Sequence, residues 1–106
     1  MEEYTIVLIT TSNREEAETI AMQLIESGSA PCINIISPCN SIYHWKGEVH
    51  HSEEALMIVK STKGQFDALK ELVERVHSYD VAEILELPIS SISEKYASYL
   101  GGFFKK

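Results

Sequence analysis

Only two of the 106 residues are cysteines, Cys32 and Cys39. Seven apart and outside any CxxC pair, they exclude a disulfide framework and read as reduced thiols. Basic charge is also scarce: nine Lys and Arg against sixteen Asp and Glu leave a net charge of −7. Phosphate binding needs a clustered basic face, and Lys105 and Lys106 are too few to form one, so nucleic acid is excluded as a partner. No apolar run approaches the roughly 20 residues that span a bilayer, so no membrane partner is expected. Met1-Glu2-Glu3 is acidic and leads straight into a strand, unlike a secretory signal, which gives a cytoplasmic expectation. There is no GxSxG elbow, Walker loop or GxGxxG, and no Cys, His and carboxylate spacing that indicates a triad. The chain therefore reads as non-enzymatic.

What is present is a regular alternation of strands and amphipathic helices. Tyr4 to Ile9 is apolar on both alternating faces apart from Thr5, the pattern of a central strand covered on both sides. Ser12 with Glu15, or Asn13 with Glu16, has capping-box spacing, and Ala17, Ile20, Ala21, Leu24 and Ile25 follow as one stripe. Gly28 and Pro31 close that helix. Cys32 to Ile36 is a second strand, bent by Ser37-Pro38-Cys39-Asn40 and resumed from Ser41 to Trp45. After Gly47 a return strand runs from Glu48 to Lys60. Thr62 and Gln65 repeat the capping pattern ahead of Phe66, Leu69, Leu72, Val73 and Val76. A polar link, His77 to Asp80, precedes a short strand from Ala82 to Leu87, and Ser91 to Leu100 is compatible with a last helix.

This order predicts an α+β fold over residues 1–106 as a single domain. It is a ferredoxin-like split βαβ sandwich: an antiparallel sheet, two helices on one face, a long central hairpin and a short C-terminal helix. At about 3.3 Å per residue the return arm of the hairpin is roughly 40 Å long. A domain of this size has a radius of gyration of about 13 Å, so the hairpin outgrows it. Its unpaired edges call for another copy of the same chain.

Several segments resemble the CutA family of divalent-cation tolerance proteins. They are Ala30 to Ile35, Ser41 to Gly47, Glu54 to Thr62 and His77 to Ile84, with Tyr96 and Tyr99 at the spacing of a family pair. The resemblance implies the same ferredoxin-like fold and a homotrimer whose hairpins pair between subunits. It also implies binding of copper or another divalent cation and a role in metal-ion tolerance. Of the family positions associated with copper, His77 matches, while Ile9 and Val76 stand at the others. Two prolines usual in the family are missing between His77 and Glu83, which widens the backbone choices of that link.

His77, Cys32 and Cys39 are the candidate metal ligands. Cys32 and Cys39 would act as soft thiolate donors, although a cysteine beside Ile33 and Ile35 is more often a small core residue. His50 and His51 point to opposite faces of one strand, so with His44 they read as a solvated hairpin tip. Asn34, Trp45, Lys60, Tyr79 and Glu83 are the candidate lining of an inter-subunit cleft, either as interface packing or as a pocket for a small ligand. A second class of function follows from fold analogy, a trimeric signalling or scaffolding module like the PII proteins. A third, an acylphosphatase-like hydrolase, needs a phosphate-loop Arg, for which only Arg14 is placed.

Overall fold

One carboxylate converts the first strand into the first helix. Strand β1 spans Tyr4–Thr11 and helix α1 spans Arg14–Glu26. The Asn13 side chain accepts the Glu16 N–H at 2.8 Å, while Glu16 accepts the Ser12 N–H at 2.9 Å and the Ser12 hydroxyl at 2.8 Å. The two predicted boxes are thus merged: Asn13 is the cap, and Ser12 is the residue Glu16 reaches back to. Ala17, Ile20, Ala21 and Leu24 are buried beneath the helix, whereas Ile25, predicted on the same stripe, lies at its rim. Gly28 follows the cap residue Ser27 with φ +81°, the left-handed turn that ends the helix.

The computed structural model describes residues 3–105. After α1 come β2 (Cys32–Trp45) and β3 (Glu48–Thr62), joined by Lys46 and Gly47, both at positive φ as a tight two-residue hairpin turn requires. A 3-10 turn over Lys63–Gln65 leads into α2 (Phe66–Val76), followed by β4 (Ile84–Pro88) and α3 (Glu94–Phe104). The predicted Thr62–Gln65 capping box does not form. Thr62 is still the buried last residue of β3, and its side chain makes no capping bond. The last strand begins two residues later than predicted. The last helix starts after its cap Ser93, which accepts the Tyr96 N–H at 3.3 Å, and continues to Phe104.

All pairings are antiparallel, in the order β2-β3-β1-β4, which is the expected ferredoxin-like sheet. Val7 and Ile9 of β1 and Ala55, Met57 and Val59 of β3 form one face of the core. Ala17, Ile20 and Leu24 of α1 and Leu69 and Val73 of α2 close over it. Alternation sends Ile6, Leu8, Leu56, Ile58, Leu85 and Leu87 to the opposite face. No helix pair covers that side: Leu85 is 51% exposed and Leu87 45%. The second cover expected for β1 is therefore not supplied within the subunit over most of that face.

Helix α3 occupies only the end of the sheet where β1 starts. The Tyr4 hydroxyl donates to the Ala97 carbonyl at 3.2 Å, and Leu100 is fully buried. A Cβ on Gly101 would sit 2.7 Å from that hydroxyl, whereas one on Gly102 would meet nothing within 4 Å. Gly101→Ala is therefore expected to cost about 1 kcal/mol, because the crowding outweighs the better helix propensity of alanine. Gly102→Ala gains only the propensity and should be neutral or stabilising. Thermal unfolding followed by circular dichroism should place Gly101→Ala below the parent and Gly102→Ala level with it or above.

The far end of the molecule is the hairpin. The longest axis is 44 Å against 26 and 22 Å for the others, and Ile42 and Val49 on the projecting part are 68% and 66% exposed. The ribbon does extend beyond the body that carries it.

Candidate functional site

The α2–β4 link folds back across the sheet and is fastened at three points. The first is His77, whose side chain is fully buried. Its Nε2–H donates to the Thr10 carbonyl at 2.8 Å and its Nδ1 accepts the Tyr79 N–H at 3.0 Å. Each nitrogen has one role, so the hydrogen bonds themselves select the neutral tautomer protonated at Nε2. The second is Glu16, which accepts the Ser78 N–H at 2.8 Å and the Ser78 hydroxyl at 3.1 Å. Burial works to raise the pKa of Glu16. The backbone bonds from Ser12 and Ser78 and the bonds from their hydroxyls outweigh it and hold the group at about 2. Hydrogen bonds thus tie the link at His77, Ser78 and Tyr79.

The third fastening is Tyr79, whose hydroxyl donates to Glu54 Oε2 at 2.6 Å. Glu54 is only 8% exposed. Burial, then the bond and charge of the Glu54 carboxylate, push the Tyr79 phenol well above its ordinary range.

Beside this pair lies an open cleft of about 430 Å³. Tyr43, Trp45 and Tyr79 supply its aromatic walls, Glu54, Asp80 and Glu83 its carboxylates, and Lys46 its one cation. The hairpin tip that carries two of these walls is itself braced. Tyr43 stacks on His50 with ring centroids 5.5 Å apart and hydrogen-bonds Ser52 at 2.9 Å, and His50 Nε2 meets the Trp45 carbonyl at 3.2 Å.

Of the five predicted cleft residues, the structure brings Trp45, Tyr79 and Glu83 together. Asn34 and Lys60 pair with each other instead, Lys60 Nζ donating to Asn34 Oδ1. Lys60 lies six residues along β3 from Glu54, about 20 Å away. Glu54 itself was missed. Its signal was a carboxylate at an alternation position shared with Leu56 and Ile58, which the apolar run Ala55 to Val59 masked.

The three predicted metal ligands are not brought together. Cys32 pairs with Lys60 and Cys39 with Glu54, again about 20 Å apart along the ribbon. Cys32 sits instead beside Tyr96, whose phenol is pushed up to about 12 by burial and then by its bond with Cys32. To ligate an ion through Nδ1, His77 would have to give up the Tyr79 N–H, and through Nε2 its bond to the Thr10 carbonyl. Among the described residues no group of three or more His, Cys, Asp or Glu could hold a metal. The donors of one chain do not fit a resident copper centre.

The geometry defines a class, a ferredoxin-like α+β subunit with an overlong hairpin and one uncovered sheet face. Residues 5–102 match the CutA1 divalent ion tolerance protein family, and the chain belongs to that family. The divalent-cation tolerance protein CutA of Thermus thermophilus is 45% identical over 95 residues, covering 90% of this chain and 92% of that protein. The chloroplastic CutA protein of Arabidopsis thaliana is 36% identical over 90% of this chain but only 52% of its own length, so this chain spans about half of that relative. The crystal structure of CutA1 from Oryza sativa superposes with a TM-score of 0.93 at 34% identity, covering 98% of this chain and 95% of that one. No helix among the described residues is long and apolar enough to cross a membrane.

Proposed function

We propose that the chain works as a non-enzymatic homotrimer in divalent-cation tolerance, its sheet face and hairpin completed by sister copies. The observation that carries this reading is the uncovered apolar face formed by β1, β3 and β4, continuous with a ribbon that projects from the body. An isolated subunit would leave that face and the edges of β2 and β4 in water, which soluble chains avoid. Three copies related by a rotation would bury all three faces around one axis. Because the donors of one chain do not fit a resident ion, copper or another divalent cation is proposed as an exchangeable ligand of surface or inter-subunit groups. Light-scattering mass on a size-exclusion column tests the assembly, with three chain masses expected at tens of micromolar and a single chain mass overturning it. Calorimetric titration with copper(II) and zinc tests the ion. His77→Ala is expected to leave the affinity unchanged, and its loss would restore His77 as a ligand.

The cleft favours a second reading, a module that binds a small ligand, as the PII proteins do on the same fold. It predicts a ligand-dependent rise in melting temperature, since binding to the native state stabilises it by mass action.

A further inference from the structure

We propose that the cleft between the hairpin tip and the α2–β4 link is a site for a small organic cation, an alkylammonium whose head group meets Glu54. The inference rests on the second reading, that the cleft takes a small ligand, and adds the chemical class.

Glu54 is more than nine-tenths buried, and Tyr79 holds one of its carboxylate oxygens at 2.6 Å. The other oxygen accepts no hydrogen bond from any described residue. Among the described residues the buried polar side-chain atoms without a partner are Thr5 Oγ1 and Glu86 Oε2, so this second Glu54 oxygen is not sealed off and an incoming cationic head group can replace the water there. The cleft is the approach to that residue, because Glu54 lines it. Asp80 and Glu83 add two more carboxylates to the lining against the single ammonium of Lys46, so the local field favours a cation.

The walls fit the rest of such a ligand. Trp45, Tyr43 and Tyr79 offer aromatic faces, and an ammonium near such a face is attracted by the ring quadrupole. The chain displays that contact in miniature: Lys46 Nζ lies 5.9 Å from the centroid of the Trp45 ring. An alkyl stem can lie on the aromatic surface while its head reaches Glu54. An anion would meet three carboxylates, and among the described residues no three or more His, Cys, Asp or Glu are grouped so as to hold a metal ion.

Trp45 is the only tryptophan, so its fluorescence reports on this cleft. The full chain is titrated with 1,4-diaminobutane, and in parallel with butyrate and with sodium chloride at matched ionic strength. The diamine is expected to give a saturable Trp45 response that the other two do not. Glu54→Gln should weaken it about ten- to a hundredfold, the worth of a hydrogen bond to a charged group. Glu83→Gln, an exposed change that leaves the core intact, should weaken it by a smaller factor. Circular dichroism confirms that each variant is folded. Equal responses to diamine and salt, or a diamine response indifferent to both variants, would overturn the proposal. Saturation by butyrate alone would overturn the cationic class while leaving a ligand cleft in place. No response to any probe, with a flat melting temperature across a metabolite panel, would remove both.

Discussion

Leu85→Glu combined with Ile36→Glu is expected to elute as a single folded chain under conditions where the parent is assembled. Both side chains are about half exposed in the isolated subunit, at 51% and 49%, so the substitutions disturb little of its own core. Leu85 lies opposite Leu8 and Ile36 opposite Leu56, which places them on the uncovered face. Burying an unpaired carboxylate there costs at least about 3 kcal/mol per contact, more than a hundredfold in an association constant. Far-ultraviolet circular dichroism should be preserved while the scattering mass falls. An unchanged mass would mean that this face is not where copies meet.

The largest effect on the subunit itself is expected from Glu16. Its folded-state pKa of about 2 lies below the usual 4.5, so its stabilisation is fully present above pH 4.5 and is lost as pH falls toward 2. The shift corresponds to about 3 kcal/mol. Glu16→Ala should lose stability of that order at pH 7, leaving the N–H groups of Ser12 and Ser78 without their acceptor. Glu16→Gln, which keeps one acceptor oxygen but no charge, should fall between them. The decisive measurement is denaturant unfolding at pH 7 and at pH 3, all at one protein concentration because assembly couples to stability. The gap between parent and Glu16→Gln should shrink at pH 3. A gap that persisted would assign the effect to shape rather than charge.

Much of the fold was legible because it is written in short-range periodicity. The stripe from Ala17 to Leu24, the stop at Gly28 and the turn at Lys46-Gly47 each depend on residues within one element. The misplaced starts of α2 and β4 share one cause: tertiary contacts set them. Thr62 is kept in the sheet by its pairing with Tyr4, and the link residues ahead of Ile84 are claimed by Glu16, Thr10 and Glu54. The site was legible only in part for the same reason. Trp45, Tyr79 and Glu83 were found as amphipathic or charged residues at element ends. The Glu16–Ser78 contact joins residues 62 apart and the Tyr79–Glu54 contact residues 25 apart, and no spacing rule reaches across such gaps. His77 looked like a ligand because an imidazole in a polar link is ambiguous. In the fold it is buried, with one ring nitrogen bonded to the Thr10 carbonyl and the other to the Tyr79 N–H.

Between Ile36 and Cys39 strand β2 advances three positions while its partner β3 moves from Leu56 to Glu54, two positions. That one surplus residue inverts the odd–even assignment of everything beyond it. Before the bulge the even-numbered Asn34 and Ile36 share a side with Ile58 and Leu56; after it the odd-numbered Tyr43 and Trp45 stand opposite His50 and Glu48, in step with Glu54. Straightening the bulge with every residue kept would bring Pro38 opposite Glu54, present Ile42 and His44 on that side instead and turn both aromatic rings to the reverse side, whereas deleting one residue at Ser37-Pro38 would leave Cys39 opposite Glu54 and the rings in place. The chemistry of the ribbon's end is therefore decided by a miscount some ten to twenty ångströms away, at about 3.3 Å per residue.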